Sequence, residues 1–152
     1  MRLSSLLAVV VVVGLGAPAS AQSTNTGLLK AFQKTCLDNA PAFDSAAIEA
    51  AAQKAVMNGI DATASATASW APGKSCKILA RIGSAMAAPV GFEVADPIVS
   101  RFVQRMGGGT LEFRKAKRRD KVFHYRMKTP AGRFDIEFRT DGANQNFNVS
   151  KL

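Results

Sequence analysis

The chain has 152 residues, with 20 Lys and Arg against 11 Asp and Glu, a formal net charge of +9, and 47% hydrophobic residues. One core of ordinary density fits this length, and the composition excludes collagen, coiled coil and wholesale disorder. Neither figure names an activity; local patterns narrow the compartment, the architecture and one charged surface.

Met1-Arg2, an apolar run from Leu6 to Leu15 broken only by Gly14, and the small triplet Ala19-Ser20-Ala21 before Gln22 are the three parts of a secretory signal peptide, residues 1–21, cleaved after Ala21. A membrane-spanning helix needs about 20 apolar residues, roughly twice this run, so a membrane anchor is not expected. No Cys lies beside the cleavage point to take a lipid, and no later run reaches spanning length. The expected location is periplasmic or secreted. Cleavage removes Arg2 and leaves 131 residues at +8, 19 basic against 11 acidic.

Export makes Cys36 and Cys76 candidates for one disulfide, because oxidising compartments let such bonds persist. Closing a loop of about 41 residues contributes about 4 kcal/mol in the chain-entropy picture. A catalytic thiol would need an activating base, and the sole histidine, His124, lies far along the chain. Two Cys and one His also fall short of a zinc quartet, so no metal and no cofactor are expected.

Residues 22–27 are polar turn formers and read as a flexible leader to a single domain, residues 28–152. Leu28, Leu29, Phe32 and Cys36 fall at helical spacing and predict a helix over 27–39, closed by Pro41. A second helix runs from Asp44, an N-cap, to Asn58, with Gly59 as the stop. Residues 60–74, rich in Ala, Ser and Thr around Trp70, read as a long loop stapled by Cys76. Lys77–Ile82 and Val90–Val94 are candidate short strands. Asp96-Pro97 predicts the cap and first turn of a third helix through Ile98, Phe102 and Met106, stopped by Gly107-Gly108-Gly109.

From Thr110 the period becomes two. Leu111 and Phe113, then Phe123, Tyr125 and Met127, then Phe134, Ile136 and Phe138, then Phe147 and Val149 predict four half-buried strands. The turns at 118–120, 129–132 and 141–144 make an antiparallel meander the economical topology. The expected fold is therefore α+β, three helices packed on a C-terminal four-stranded antiparallel sheet.

Residues 22–100 hold six basic and six acidic groups, residues 101–128 ten and two, and residues 129–152 three and three. All of the +8 thus belongs to the third helix and the first hairpin, including Arg114, Lys115, Lys117, Arg118, Arg119 and Lys121. Such a concentration sets up a positive potential that attracts anions. A three-residue loop at 118–120 would place Arg114 opposite His124 and Glu112 opposite Arg126. The next turn places Glu137 opposite His124 and Asp135 opposite Arg126. His124 polarised by Glu137 is then a candidate polar or general-base site, set against a simple ladder of exposed opposite charges. The Gly triplet follows a helix rather than opening one, so it reads as a stop and not as a phosphate cradle.

The signal peptide, the helix ending Thr35-Cys36-Leu37, the Ala-rich helix ending Asn58-Gly59 and a second Cys about forty residues on resemble small exported two-cysteine proteins of alphaproteobacteria. The resemblance implies a periplasmic location and an intramolecular disulfide, and it brings no catalytic residues. Separately, two helices, short strands, a third helix and a four-strand meander are similar in element order to the cone-shaped folds of nuclear transport factor 2.

The functional expectation is a non-enzymatic binding protein whose basic hairpin meets an anionic protein or an envelope polyanion. The alternative is a small-ligand carrier or enzyme with a pocket between sheet and helices, near Trp70, His124 and Tyr125. Nucleic acid is disfavoured, because strand alternation buries the aromatic rings on which bases would stack.

Overall fold

A computed structural model describes residues 27–59, 64–82, 90–117 and 121–152. The expected signal peptide 1–21, most of the expected leader and the cations Arg118 and Arg119 lie outside these residues.

Helical residues 27–32 pass directly into a π-helical turn, Gln33–Leu37, and together they form α1. The element ends two residues before the predicted boundary. The Asn39 side-chain amide donates to the carbonyls of Thr35 (2.9 Å) and Lys34 (3.3 Å), which would otherwise call for a further helical turn. Helix α2, Ser45–Gly59, starts as expected: Asp44 Oδ1 accepts from the Ala47 N–H at 2.9 Å.

Strands β1 (Ala64–Ala71) and β2 (Ser75–Ile82) follow as an antiparallel hairpin. Most of the stretch expected to be a long loop is therefore a strand. Ala and Ser, six of the eight residues of β1, signal β structure weakly, and pairing with β2 supplies what propensity does not. Helix α3 spans Phe92–Arg105, so residues 92–94 are helical, not strand. Its N-cap is Gly91, and the expected cap Asp96 sits inside the helix. The glycine stop forms: the N–H groups of Gly107 and Gly108 return to the carbonyls of Gln104 and Val103.

The meander is β3 (Thr110–Lys117), β4 (Val122–Thr129), β5 (Gly132–Asp141) and β6 (Asn144–Lys151). It is four strands of a larger whole. β6 pairs with β2, giving one six-stranded antiparallel sheet in the order β1-β2-β6-β5-β4-β3. Gly109, with φ +151°, lets β3 start hard against the Lys128 backbone, where any Cβ would collide.

All three helices pack on one face. Phe32 of α1 stands edge-on to Phe138 and Phe147, each with centroids 5.8 Å away, and Phe102 of α3 to Phe134 at 5.3 Å. Ile48 of α2 joins the same core, and Trp70 on β1 donates to Ser45 Oγ at 3.0 Å. Cys36 and Cys76 form the disulfide that ties α1 to β2, with Cα atoms 5.2 Å apart. Edge-to-face rings fill the layer between helices and sheet, each such pair adding about 0.5–1.5 kcal/mol beyond burial.

Candidate functional site

Among the described residues no helix lies on the opposite face of the sheet, and β3 decides what that face displays. At its start β3 keeps the expected register, Thr110 opposite Lys128 and Leu111 opposite Met127. A bulge between Leu111 and Phe113 then shifts the pairing by one residue. Beyond it Phe113 lies opposite Arg126, Arg114 opposite Tyr125 and Lys115 opposite His124. The connection between Lys117 and Val122 accordingly has four residues, not three. One extra residue in one strand exchanges the faces of everything beyond it.

The bulge turns Arg114 away from the predicted row. Its guanidinium makes two bonds to the Asp96 carboxylate, 2.9 and 2.7 Å, and lies over the Phe92 ring at 3.5 Å. Tyr125 Oη donates to the same carboxylate at 2.7 Å. Hydrogen bonds from Arg114 hold the Asp96 carboxyl below the usual carboxylate range against its partial desolvation, with Tyr125 adding to the effect. Burial and the adjacent Asp96 push the Tyr125 phenol up, so it remains a donor. Arg114 is thus a clasp between β3 and α3, and Asp96 serves this clasp in place of a helix cap.

The same shift brings Phe113 onto the uncovered face. Its ring is edge-on to His124 at 4.8 Å, with Arg126 over it at 4.9 Å. Arg126 is bidentate on Asp135, 2.7 and 2.8 Å, and His124 Nε2 lies 3.3 Å from the same carboxylate. Burial alone would push the Asp135 carboxyl up; hydrogen bonding from Arg126 and the charges of His124 and Arg126 outweigh it and hold the carboxyl low. The predicted pairings of β4 with β5 are present, His124 opposite Glu137 and Arg126 opposite Asp135. The contact His124 makes is nevertheless the diagonal one to Asp135, because Glu137 is engaged by Arg139 at 3.1 Å. Glu112, expected to face Arg126, accepts from Arg133 at 2.7 Å.

What remains open is a shallow cavity of about 160 Å³ lined by Lys115, Lys117, Val122, His124, Glu137 and Arg139. His124 and Glu137 therefore meet at one site, together with three cations. Among the described residues no ion pair engages Lys115, Lys117 or Lys121, the last standing at the tip with φ +48°. One carboxylate among three cations and an imidazole suits the binding of an anion.

The pocket imagined around Trp70, His124 and Tyr125 does not form. His124 and Tyr125 are consecutive on β4 and point to opposite faces, Tyr125 buried at 1% exposure, while Trp70 lies at the far end of the sheet. The larger cavity, about 440 Å³, lies between α1 and α3, where Asp38 meets Arg105 at 2.7 Å and Lys34 at 3.4 Å. No group of three or more His, Cys, Asp or Glu is placed to hold a metal among the described residues. None of their helices is long and apolar enough to cross a membrane.

Sequence reasoning missed Asp96, Phe113 and Arg139 as participants, and it placed Asp135 opposite Arg126 without its contact to His124. A signal for the first two existed: the apolar residues of β3 sit at odd positions 111 and 113 but at even position 116, a break in alternation that a bulge explains. Compared with known proteins, the chain matches no family model, no curated protein and no solved structure.

Proposed function

We propose that this is an exported, non-enzymatic binding protein that holds an anionic partner, an acidic protein or an envelope polyanion, on the uncovered end of β3 and β4. The observation that carries the reading is the set of Lys115 and Lys117 beside Arg139 and His124: among the described residues neither lysine is in an ion pair and no helix covers their face. Lys121 extends the positive potential to the hairpin tip, and Arg118 and Arg119 adjoin it in sequence. Arg114 is left out of the contact set because Asp96 neutralises it. Export is supported by the pattern of residues 1–21, and the disulfide is compatible with it. The likeness in element order to nuclear transport factor 2 folds is a proposal about shape alone, from which no ligand follows.

Catalysis is disfavoured on chemical grounds. His124 is held between Asp135 and the Phe113 edge, and the lining of its cavity includes no hydroxyl or thiol that it could activate. The test is titration calorimetry of the purified protein with polyphosphate as the probe, at low and at physiological salt. Binding should weaken as salt rises and be lost in Lys115→Glu/Lys117→Glu. Equal binding by that variant, or binding indifferent to salt, overturns the reading.

A further inference from the structure

The two edges of the sheet are protected very differently. β3, one edge, is interrupted by its bulge and carries Glu112, Arg114, Lys115 and Lys117. Bulges and lysines are the means by which edge strands are kept from pairing with other chains. β1, the other edge, has neither. Its eight residues, Ala64–Ala71, pair with β2 in unbroken register and include no charge and no proline. On its far side, among the described residues, no backbone group of β1 is bonded to anything.

The order of residues along this edge narrows what can dock there. Ser65-Ala66-Thr67-Ala68-Ser69 reads the same in both directions about Thr67. An antiparallel pair of two such strands, related by a two-fold axis at Thr67, places Thr67 opposite Thr67 and Ser65 opposite Ser69. Ala66 then meets Ala68, so within these five residues every side chain meets its like, while beyond them Ala64 falls opposite Trp70. A two-fold interface must be self-complementary in this way, whereas a foreign strand has no need of a palindrome. Thr67 and Ser69 stand exposed on the uncovered face, where Thr–Thr and Ser–Ser pairs hydrogen-bond across strands.

Charge points to the same occupant. A chain of net charge +8 after cleavage repels its own copy, which favours self-association at a surface without cations. The nearest charges on the uncovered face, Lys77 and Arg81, lie on β2 opposite Ser69 and Ser65. In the pair these β2 strands are three strand spacings apart, about 14 Å, beyond the screening length of about 8 Å at physiological salt.

We propose that β1 is a homodimerisation edge, joining two copies into a continuous antiparallel sheet with a basic hairpin at each end. This assignment does not depend on the anion-binding reading. An edge of eight residues buries less than the standard 1,200–2,000 Å² of a stable interface, so the dimer dissociates on dilution.

Sedimentation velocity over a range of protein concentrations tests it. The wild type should pass from monomer to dimer as concentration rises. Thr67→Lys, which sets like charges face to face on the axis, should remain monomeric with an unchanged circular dichroism spectrum. Register is read separately: Thr67→Cys should form a disulfide-linked dimer on oxidation, whereas Leu79→Cys, exposed on the neighbouring strand, should not. A wild type that stays monomeric at millimolar concentration, or a Thr67→Lys chain that dimerises as the wild type does, overturns the proposal. So does equal cross-linking at positions 67 and 79. If Thr67→Lys misfolds, the cysteine pair decides alone.

Discussion

The two faces of the sheet are made by the same strands and obey different physics. On the covered face Phe134, Ile136, Phe138, Phe147 and Val149 are fully or almost fully buried under α1 and α3, and contact is between apolar edges and rings. On the uncovered face of β4 and β5 the neighbours across strands are charged, and contacts are made diagonally as well as directly, as His124, Asp135 and Arg126 show. Burial fixes the first face and leaves little freedom to alter it. The second is held by screened, partly exposed interactions that can be rearranged at small cost, which is where an adaptable binding surface belongs. β3 shows the difference within one strand, since the bulge sends Arg114 to the first face as a clasp and Lys115 to the second, where no described residue forms an ion pair with it.

The contrast is broken most severely from the covered side. Phe138→Ala removes a ring that touches Phe32, Tyr125 and Phe147, and should destabilise the fold by about 3–5 kcal/mol, read from the denaturant midpoint. Cys36→Ser/Cys76→Ser releases a link across 40 residues of sequence and should lower stability by about 4 kcal/mol. Thermal unfolding with and without reductant checks it, because reductant should then affect the wild type alone. Arg114→Ala should lose little stability, since both partners of its ion pair are about 40% exposed, and polyphosphate binding should change little. That separates Arg114 from Lys115 and Lys117, whose joint reversal should leave stability within about 0.5 kcal/mol while abolishing binding.

Acid sharpens the same comparison. The carboxyls of Asp96 and Asp135 are held below 3.8 in the folded chain, so their stabilising effect is complete above that value. It is lost as the pH falls through their folded-state values. Between pH 5 and 2, monitored by tryptophan fluorescence, the wild type should lose more stability than Asp96→Asn/Asp135→Asn, which has already forfeited these pairs. Equal slopes would show that neither pair matters to folding.

Much of the architecture could be read locally. The α2 cap at Asp44, the glycine stop of α3 and the alternation of β4, β5 and β6 depend on residues within a few positions of one another, and each is present. The candidate site was half legible. Lys115, Lys117, His124 and Glu137 were singled out by charge and parity and line one cavity, but Arg114 was assigned to the wrong face and Arg139 was passed over. Parity counting assumes an unbroken ladder, and a single bulge invalidates it for every residue beyond.

The sequence by itself determined the α+β class, the period of the meander, the cysteine pairing available to the chain and the segment in which the positive charge is concentrated. Only the tertiary structure decided that Ala64–Ala71 is a strand, that β2 joins β6, that Asp96 serves Arg114, and which cations face solvent. Caps, stops and alternation are short-range properties fixed by neighbouring side chains. Strand order, a bulge and an ion pair 18 residues apart are settled by which distant segments bury the most surface together, and no local window contains that competition.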